Sequence, residues 1–126
     1  MKEIQIENKI VGMNHPTYFI ADVGANHDGD IERAKDLIYL CAGAGADAAK
    51  FQHFTADTIV SDIGFKSLGG QQSHQSRWKK SVFDVYQDAS IDQDWTPILK
   101  ETCNKAGIAF LTSPYSYELV DKVDDF

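Results

Sequence analysis

One order of elements occurs twice in this chain: the end of a helix, an Ala-Gly pair, then a short apolar run. "AGAGADAAKFQ" and "NKAGIAFLTS" both follow it. A strand entered straight from a helix constrains the fold more tightly than any compositional figure, because such alternation predicts a parallel sheet with right-handed helical crossovers. After Pro16, "TYFIADV" is aromatic and β-branched and reads as a buried first strand. "ADAAKFQHF" reads as the second strand, and "IAFLTS", stopped by Pro114, as the third. Between the first two, Ala34, Leu37, Ile38, Cys41 and Ala42 fall at helical spacing. Asp30 is positioned to cap that helix, and Gly43 or Gly45 to end it. A second helix is predicted from Asp92 or Asp94 to Gly107, with Trp95, Ile98, Leu99, Thr102, Cys103 and Ala106 on one face. Pro97 sits in its first turn, where proline is tolerated. "YSYELVDKVDDF" starts a further helix, with Ser116 as its cap.

Residues 1–16 are expected to form an arm or a hairpin, with Asn8-Lys9 as the turn. Residues 55–90 form a long connection rich in Ser, Gln and Gly, within which "SVFDVYQDA" predicts a short helix. Connections of that length are usually functional or without structure of their own.

The totals limit the partners. With 126 residues, 43% hydrophobic and 25% charged, the chain has the size and composition of a single soluble domain. No apolar run reaches the roughly 20 residues of a membrane helix. The opening MKEIQIENKI alternates polar and apolar residues and lacks the apolar core of a signal peptide, so a cytoplasmic protein is expected. A formal net charge of -7 argues against nucleic acid or an anionic membrane as the main partner. It leaves room for a small anion held by a local lysine. Cys41 and Cys103 fall on apolar helix faces and read as reduced core residues.

In parallel α/β folds, ligands sit at the carboxyl ends of the strands. Those ends are Asp22 to His27, Lys50 to His53, and Thr112-Ser113-Pro114. Lys50 is the sharpest signal, because burying an ammonium without a partner is costly. It reads either as an anion-binding group or as half of an ion pair with Asp22 or Asp47. Gln52 either contacts a ligand or ties down a loop. Thr112 and Ser113 offer hydroxyls suited to a phosphate or carboxylate, and also suit a plain turn. Asn26 fits a left-handed turn position. His27 and His53 lack metal-ligand spacing and make a weak metal site. His74 and Arg77 read as solvated or as parts of a lid. "GAGAD" precedes a strand, so it is no phosphate cradle.

With these residues in view, the chain resembles the amino-terminal part of the sialic acid synthase family. The stretches that carry the likeness are "FIADVGANHDGDIERAKDLI", "AGADAAKFQHFTADTIVS", "KKSVFDVYQDASI" and "NKAGIAFLTSPYSYELVDKV". The resemblance implies the first three βα units of a TIM (β/α)8 barrel that condenses phosphoenolpyruvate with N-acetylmannosamine or a related amino sugar, releasing phosphate. The family's Ala-Glu-Ile-Gly-x-Asn-His-Asn-Gly stands here as Ala21-Asp22-Val23-Gly24-Ala25-Asn26-His27-Asp28-Gly29. Asp22 thus replaces a glutamate placed near the sugar acceptor and shortens its reach by one methylene. The likeness makes Asp22 the candidate catalytic carboxylate. It makes Lys50, Gln52, Thr112, Ser113 and Asn26 substrate contacts, with Thr112-Ser113-Pro114 standing for the family's Ser-Thr-Pro. It also implies a divalent metal (Mn or Mg) whose ligands lie outside this chain, and a homo-oligomer is expected. A full barrel takes about 250 residues, so the chain is expected to be a fragment and inactive alone. Two other readings stay open: a non-catalytic partial barrel that binds or assembles, and a barrel aldolase using Lys50 as a Schiff base.

Overall fold

The computed structural model describes residues 2–67 and 78–126. Its elements run β1 (Ile4–Ile6), β2 (Lys9–Val11), β3 (Ile20–Gly24), α1 (Ile31–Gly43), β4 (Ala48–His53), α2 (Ala56–Ile59), α3 (Asp62–Ser67), α4 (Val82–Ala89), a 3-10 turn (Gln93–Trp95), α5 (Thr96–Ala106), β5 (Ala109–Pro114) and α6 (Tyr117–Asp124). The alternation in the sequence becomes a parallel sheet in the order β3-β4-β5, with β4 in the centre. His74 and Arg77 lie outside the described residues.

Period-two alternation gives the sheet two different faces. Along β4, Ala49, Phe51 and His53 are buried, while Lys50 and Gln52 are half-buried. Phe51 and Ala49 join Val23, Ala34, Ile38, Leu99, Cys103 and Ile108 in one core under α1 and α5. Phe51, Ile38 and Leu99 are fully buried, and each contributes roughly 1.5–3 kcal/mol of hydrophobic stabilisation. The opposite face carries Asp22, Lys50, Gln52, Leu111 and Ser113, by register with one another. Core and polar face are therefore written into alternate residues of the same strands.

Local signals account for the helix ends. The Asp30 carboxylate accepts the N–H groups of Glu32 (2.8 Å) and Arg33 (3.2 Å), capping α1 as expected. The helix stops where Gly45 takes φ +87 and its N–H reaches the Ala42 carbonyl. Gly107, at φ +75, closes α5 in the same way. The start of α5 differs from expectation: Asp92 caps the 3-10 turn by accepting the Asp94 N–H at 3.0 Å, and α5 begins behind Trp95 without a side-chain cap. Ile98, expected on the buried face, is exposed; α5 meets the core through Leu99, Thr102 and Cys103 instead. Ser116 caps α6 by accepting the Leu119 N–H at 3.3 Å. Cys103 is buried and Cys41 half-buried, and both are free thiols.

The first strand is shorter than its composition suggests, beginning at Ile20, and it is half-exposed rather than buried. It lies at the sheet edge, where Phe19 and Ile20 have no partner layer among the described residues. Ahead of it, β1 and β2 form an antiparallel hairpin. Its turn is Glu7-Asn8, not Asn8-Lys9: Ile6 pairs with Lys9, and Glu7 takes φ +50. Asp47, just before β4, fastens this arm to the sheet. Its carboxylate pairs with the Lys9 ammonium and accepts the Phe19 N–H at 2.6 Å. The Lys9 bond, then the Phe19 bond, hold the Asp47 carboxyl below the usual carboxylate range.

The described part of the long connection is more ordered than its composition suggests. Besides the expected helix α4, capped by Ser81 through the Asp84 N–H (3.1 Å), it contains α2 and α3. Tyr86 of α4 lies edge-to-face on Phe54, 5.8 Å between ring centres, and Phe54 meets Tyr115 at 5.9 Å. This part of the connection therefore packs beside the carboxyl ends of β4 and β5. No helix among the described residues is long and apolar enough to cross a membrane.

Candidate functional site

The register brings four of the six candidate residues onto one face. Asp22 lies opposite Lys50, and Gln52 lies opposite Ser113. The Lys50 ammonium is 3.5 Å from the Asp22 carboxylate. Asp47, the other partner considered for Lys50, is taken by Lys9 at the amino end of the strand. With side chains 32% and 57% exposed, Lys50 and Asp22 form an open pair that an incoming ligand can reach. Beside them the chain bulges between Asp22 and Gly24, and Gly24 takes φ +57. A Cβ at Gly24 would sit 3.7 Å from the Gln52 amide and 3.9 Å from Asp22 Oδ1. Glycine keeps this stretch of backbone close to both polar groups in a conformation other residues adopt reluctantly.

The other two candidates are placed differently. Thr112 is in register with Phe51, so its side chain lies with the helical layer. There its hydroxyl is 2.6 Å from His53 Nδ1 and donates to the Phe51 carbonyl at 3.3 Å. Of the two adjacent hydroxyls only Ser113 shares the face of Lys50, because neighbours in a strand point opposite ways. Asn26 belongs to the β3–α1 turn. Its side-chain N–H donates to the Val23 carbonyl at 2.9 Å, and its own carbonyl accepts from Arg33 Nε at 2.9 Å. The left-handed positions in that turn are taken by Asp28, at φ +50, and Gly29, at φ +74, and the Asp28 carboxylate meets Arg33 at 3.1 Å.

Both histidines near the strand ends lie within the fold. His53 is held between two hydroxyls, with Nε2 at 2.8 Å from Thr96 and Nδ1 at 2.6 Å from Thr112. Burial, reinforced by the nearby His27, pulls its pKa down to about 4. His27 is fully buried, and its Nδ1 accepts the Gly29 N–H at 3.1 Å. Burial lowers its pKa too, with Asp28 acting in the opposite direction. Among the described residues no group of three or more His, Cys, Asp or Glu side chains could hold a metal ion. The metal that the resemblance implies therefore finds no fitting ligand set here.

Sequence reasoning passed over Gly24 and the aromatic pair Phe54 and Tyr115. Gly24 carried no signal beyond its residue type, since the bulge that needs it depends on strand pairing. Phe54 was findable, for it stands two residues past Gln52 in the same alternation.

An open lysine–carboxylate pair beside an amide and a hydroxyl, at the carboxyl ends of parallel strands in a run of strand–helix units, defines a class. It is part of an α/β barrel. The comparisons narrow that class. The NeuB family profile matches residues 37–126, and the chain belongs to that family. The spore coat polysaccharide biosynthesis protein SpsE of Bacillus subtilis is 36% identical over 115 residues, covering 90% of this chain and 29% of that protein. The N,N'-diacetyllegionaminic acid synthase of Legionella pneumophila is 30% identical, covering 87% of this chain and 30% of its own. The crystal structure of N-acetylneuraminic acid synthetase from Leptospira borgpetersenii, solved with citrate, superposes with a TM-score of 0.77 at 26% identity. It covers 98% of this chain, which matches 38% of that one. The chain is thus a partial barrel matching one portion of larger NeuB-family structures, and it spans less than a third of the curated relatives named.

Proposed function

We propose that this chain supplies the first three βα units, and part of the active site, of a phosphoenolpyruvate-dependent nonulosonic acid synthase. The observation that carries the reading is the shared face of Asp22, Lys50, Gln52 and Ser113 at the carboxyl ends of the sheet. Phosphoenolpyruvate carries a phosphate and a carboxylate. The Lys50 ammonium, the Ser113 hydroxyl and the Gln52 amide offer charge-assisted and neutral hydrogen bonds to such oxygens. Asp22 pairs with Lys50 at 3.5 Å, and is left to address the amino sugar when the anion takes the lysine.

In the reaction, carbon 3 of the enol forms a bond to the sugar aldehyde carbon, and the aldehyde oxygen gains a proton. Water adds to carbon 2, and phosphate leaves with its C–O bond. Lys50 balances charge on the departing phosphate. Asp22 orients an acceptor hydroxyl or holds a proton beside the aldehyde. The aspartate reaches one methylene less far than the glutamate it replaces, and the acceptor is N-acetylmannosamine or a related amino sugar. A divalent metal (Mn or Mg) would take its ligands from outside the described residues, and no step above depends on one. A cytoplasmic homo-oligomer completes the proposal.

Lys50→Ala in the full-length protein tests it, with phosphate release as the assay. The KM for phosphoenolpyruvate is expected to rise at least about tenfold, while the KM for the sugar changes little. Equal effects on both substrates would make Lys50 a structural residue. A covalent adduct on Lys50 after borohydride treatment with a keto substrate would replace the synthase reading with an aldolase.

A further inference from the structure

His27 presents an imbalance that packing alone does not explain. Its ring is fully buried, edge-to-face with Trp95 at 5.6 Å between centres and 75° between planes. Nδ1 accepts the Gly29 N–H, so in the neutral ring the proton sits on Nε2. Nε2 has no hydrogen-bond partner among the described residues. A buried donor without an acceptor is a penalty that a phenyl or leucine side chain would avoid while filling the same space. The compensating feature is the Nδ1 acceptor, which no hydrocarbon provides.

That acceptor lies at a sensitive place. The β3–α1 turn is a chain of short backbone bonds, Asn26 to Val23, Asp28 to Ala25 and Asp30 to His27. Between the last two, the Gly29 N–H is satisfied by the His27 ring. Gly29 takes φ +74, and a Cβ there would stand 3.1 Å from the Asp88 carbonyl near the end of α4. The ring bond thus holds Gly29 where α4 closes against the turn. The same turn leaves directly from Gly24, beside Asp22 and Gln52.

We propose that His27 is a positioning residue: through its Nδ1 bond to Gly29 it fixes the β3–α1 turn and the seat of α4, and so the placement of Asp22 against the amino sugar. The functional half of this inference rests on the synthase reading above. The placement of the turn does not.

Three variants of the full-length protein separate the acceptor from the packing. His27→Phe keeps a ring against Trp95 and removes the acceptor. His27→Gln stays polar, with its amide nearer the Nε2 position. His27→Asn puts an amide oxygen near the Nδ1 position and leaves part of the ring space empty. We expect Gly29 amide exchange to quicken by about tenfold or more in His27→Phe and His27→Gln, and His27→Asn to restore protection. The kcat/KM for the amino sugar should fall by about tenfold or more in the first two and recover in the third, because small misplacements at a reacting centre are amplified. Should His27→Phe fail to fold, the Gln and Asn variants carry the comparison. Equal Gly29 protection in all three, or better protection in Phe than in Asn, would overturn the inference. Absence of phosphate release from the unmutated protein would refute the synthase reading, while the Gly29 pattern would still decide what His27 does.

Discussion

His53 should make the protein acid-sensitive within a definable window. The folded state holds its ring neutral, with the pKa pulled down to about 4 by burial, whereas an unfolded histidine titrates near 6.5. Between these values the unfolded chain binds the additional proton, so stability rises with pH there. The contribution is fully present above about pH 6.5, declines as the pH falls toward about 4, and below that is lost without further change. A gap of this size is worth at most about 3 kcal/mol in total, of which about 2 kcal/mol is lost by about pH 5. Without the ring, the Thr96 and Thr112 hydroxyls can each donate to a carbonyl within reach, that of Gln93 and that of Phe51, so a non-titrating replacement leaves neither stranded. The assay is urea unfolding of the full-length protein and of His53→Gln at about pH 7.5 and about pH 5. His27 is present in both proteins, so only its coupling to His53 enters the difference. The variant should lose about 2 kcal/mol less than the parent over that interval. An identical loss in the two proteins would refute the assignment of His53 as a buried, neutral group.

Three further outcomes are expected. Asp47→Ala removes the acceptor of both Lys9 and Phe19, so trypsin should cut after Lys9 faster while the exchange of β4 amides stays unchanged; an unaltered cleavage rate would show that the hairpin is held by other contacts. Burial pushes the Cys103 thiol up to about 12 and raises that of Cys41 as well. Of these two, the half-buried Cys41 should react first with a thiol reagent in the native protein, and Cys103 only on unfolding; equal native rates would contradict the core placement. Asp22→Ala should impair use of the amino sugar or turnover while leaving the KM for phosphoenolpyruvate within about threefold, and unchanged acceptor kinetics would remove Asp22 from the site.

The elements that sequence reasoning located well are those fixed by local chemistry. Asp30, Ser116, Gly45 and Gly107 announce helix ends because a cap is an interaction between near neighbours. Lys50 and Gln52 stood out because polar residues in an apolar strand need a reason. What escaped depended on pairing between distant segments. Thr112 and Ser113 are adjacent in sequence, and only the register with β4 shows that Thr112 serves His53 while Ser113 shares the face of Lys50. Composition likewise hid α2 and α3, which are too short to show a periodic pattern. Asp47 offered Lys50 an apparent partner three residues away, yet residues an odd number apart along a strand point to opposite faces, and Lys9 met it from the hairpin. His27 read as a weak metal ligand because its real partner, the Gly29 amide, becomes visible only once the turn is built.

The central position of β4 also sets an order of assembly. Bringing Phe19 to Asp47 closes a span of 28 residues, whereas bringing Thr112 to Phe51 closes one of 61. Loop-closure entropy makes the longer span costlier by about 0.7 kcal/mol, a rate factor of about three before any other influence. The β3–α1–β4 unit is therefore expected to form first and to offer β5 a ready edge. By that sequence of events the Asp22–Lys50 pair is in place before Ser113 arrives, and the ionic half of the site acts as the template on which the remainder is completed.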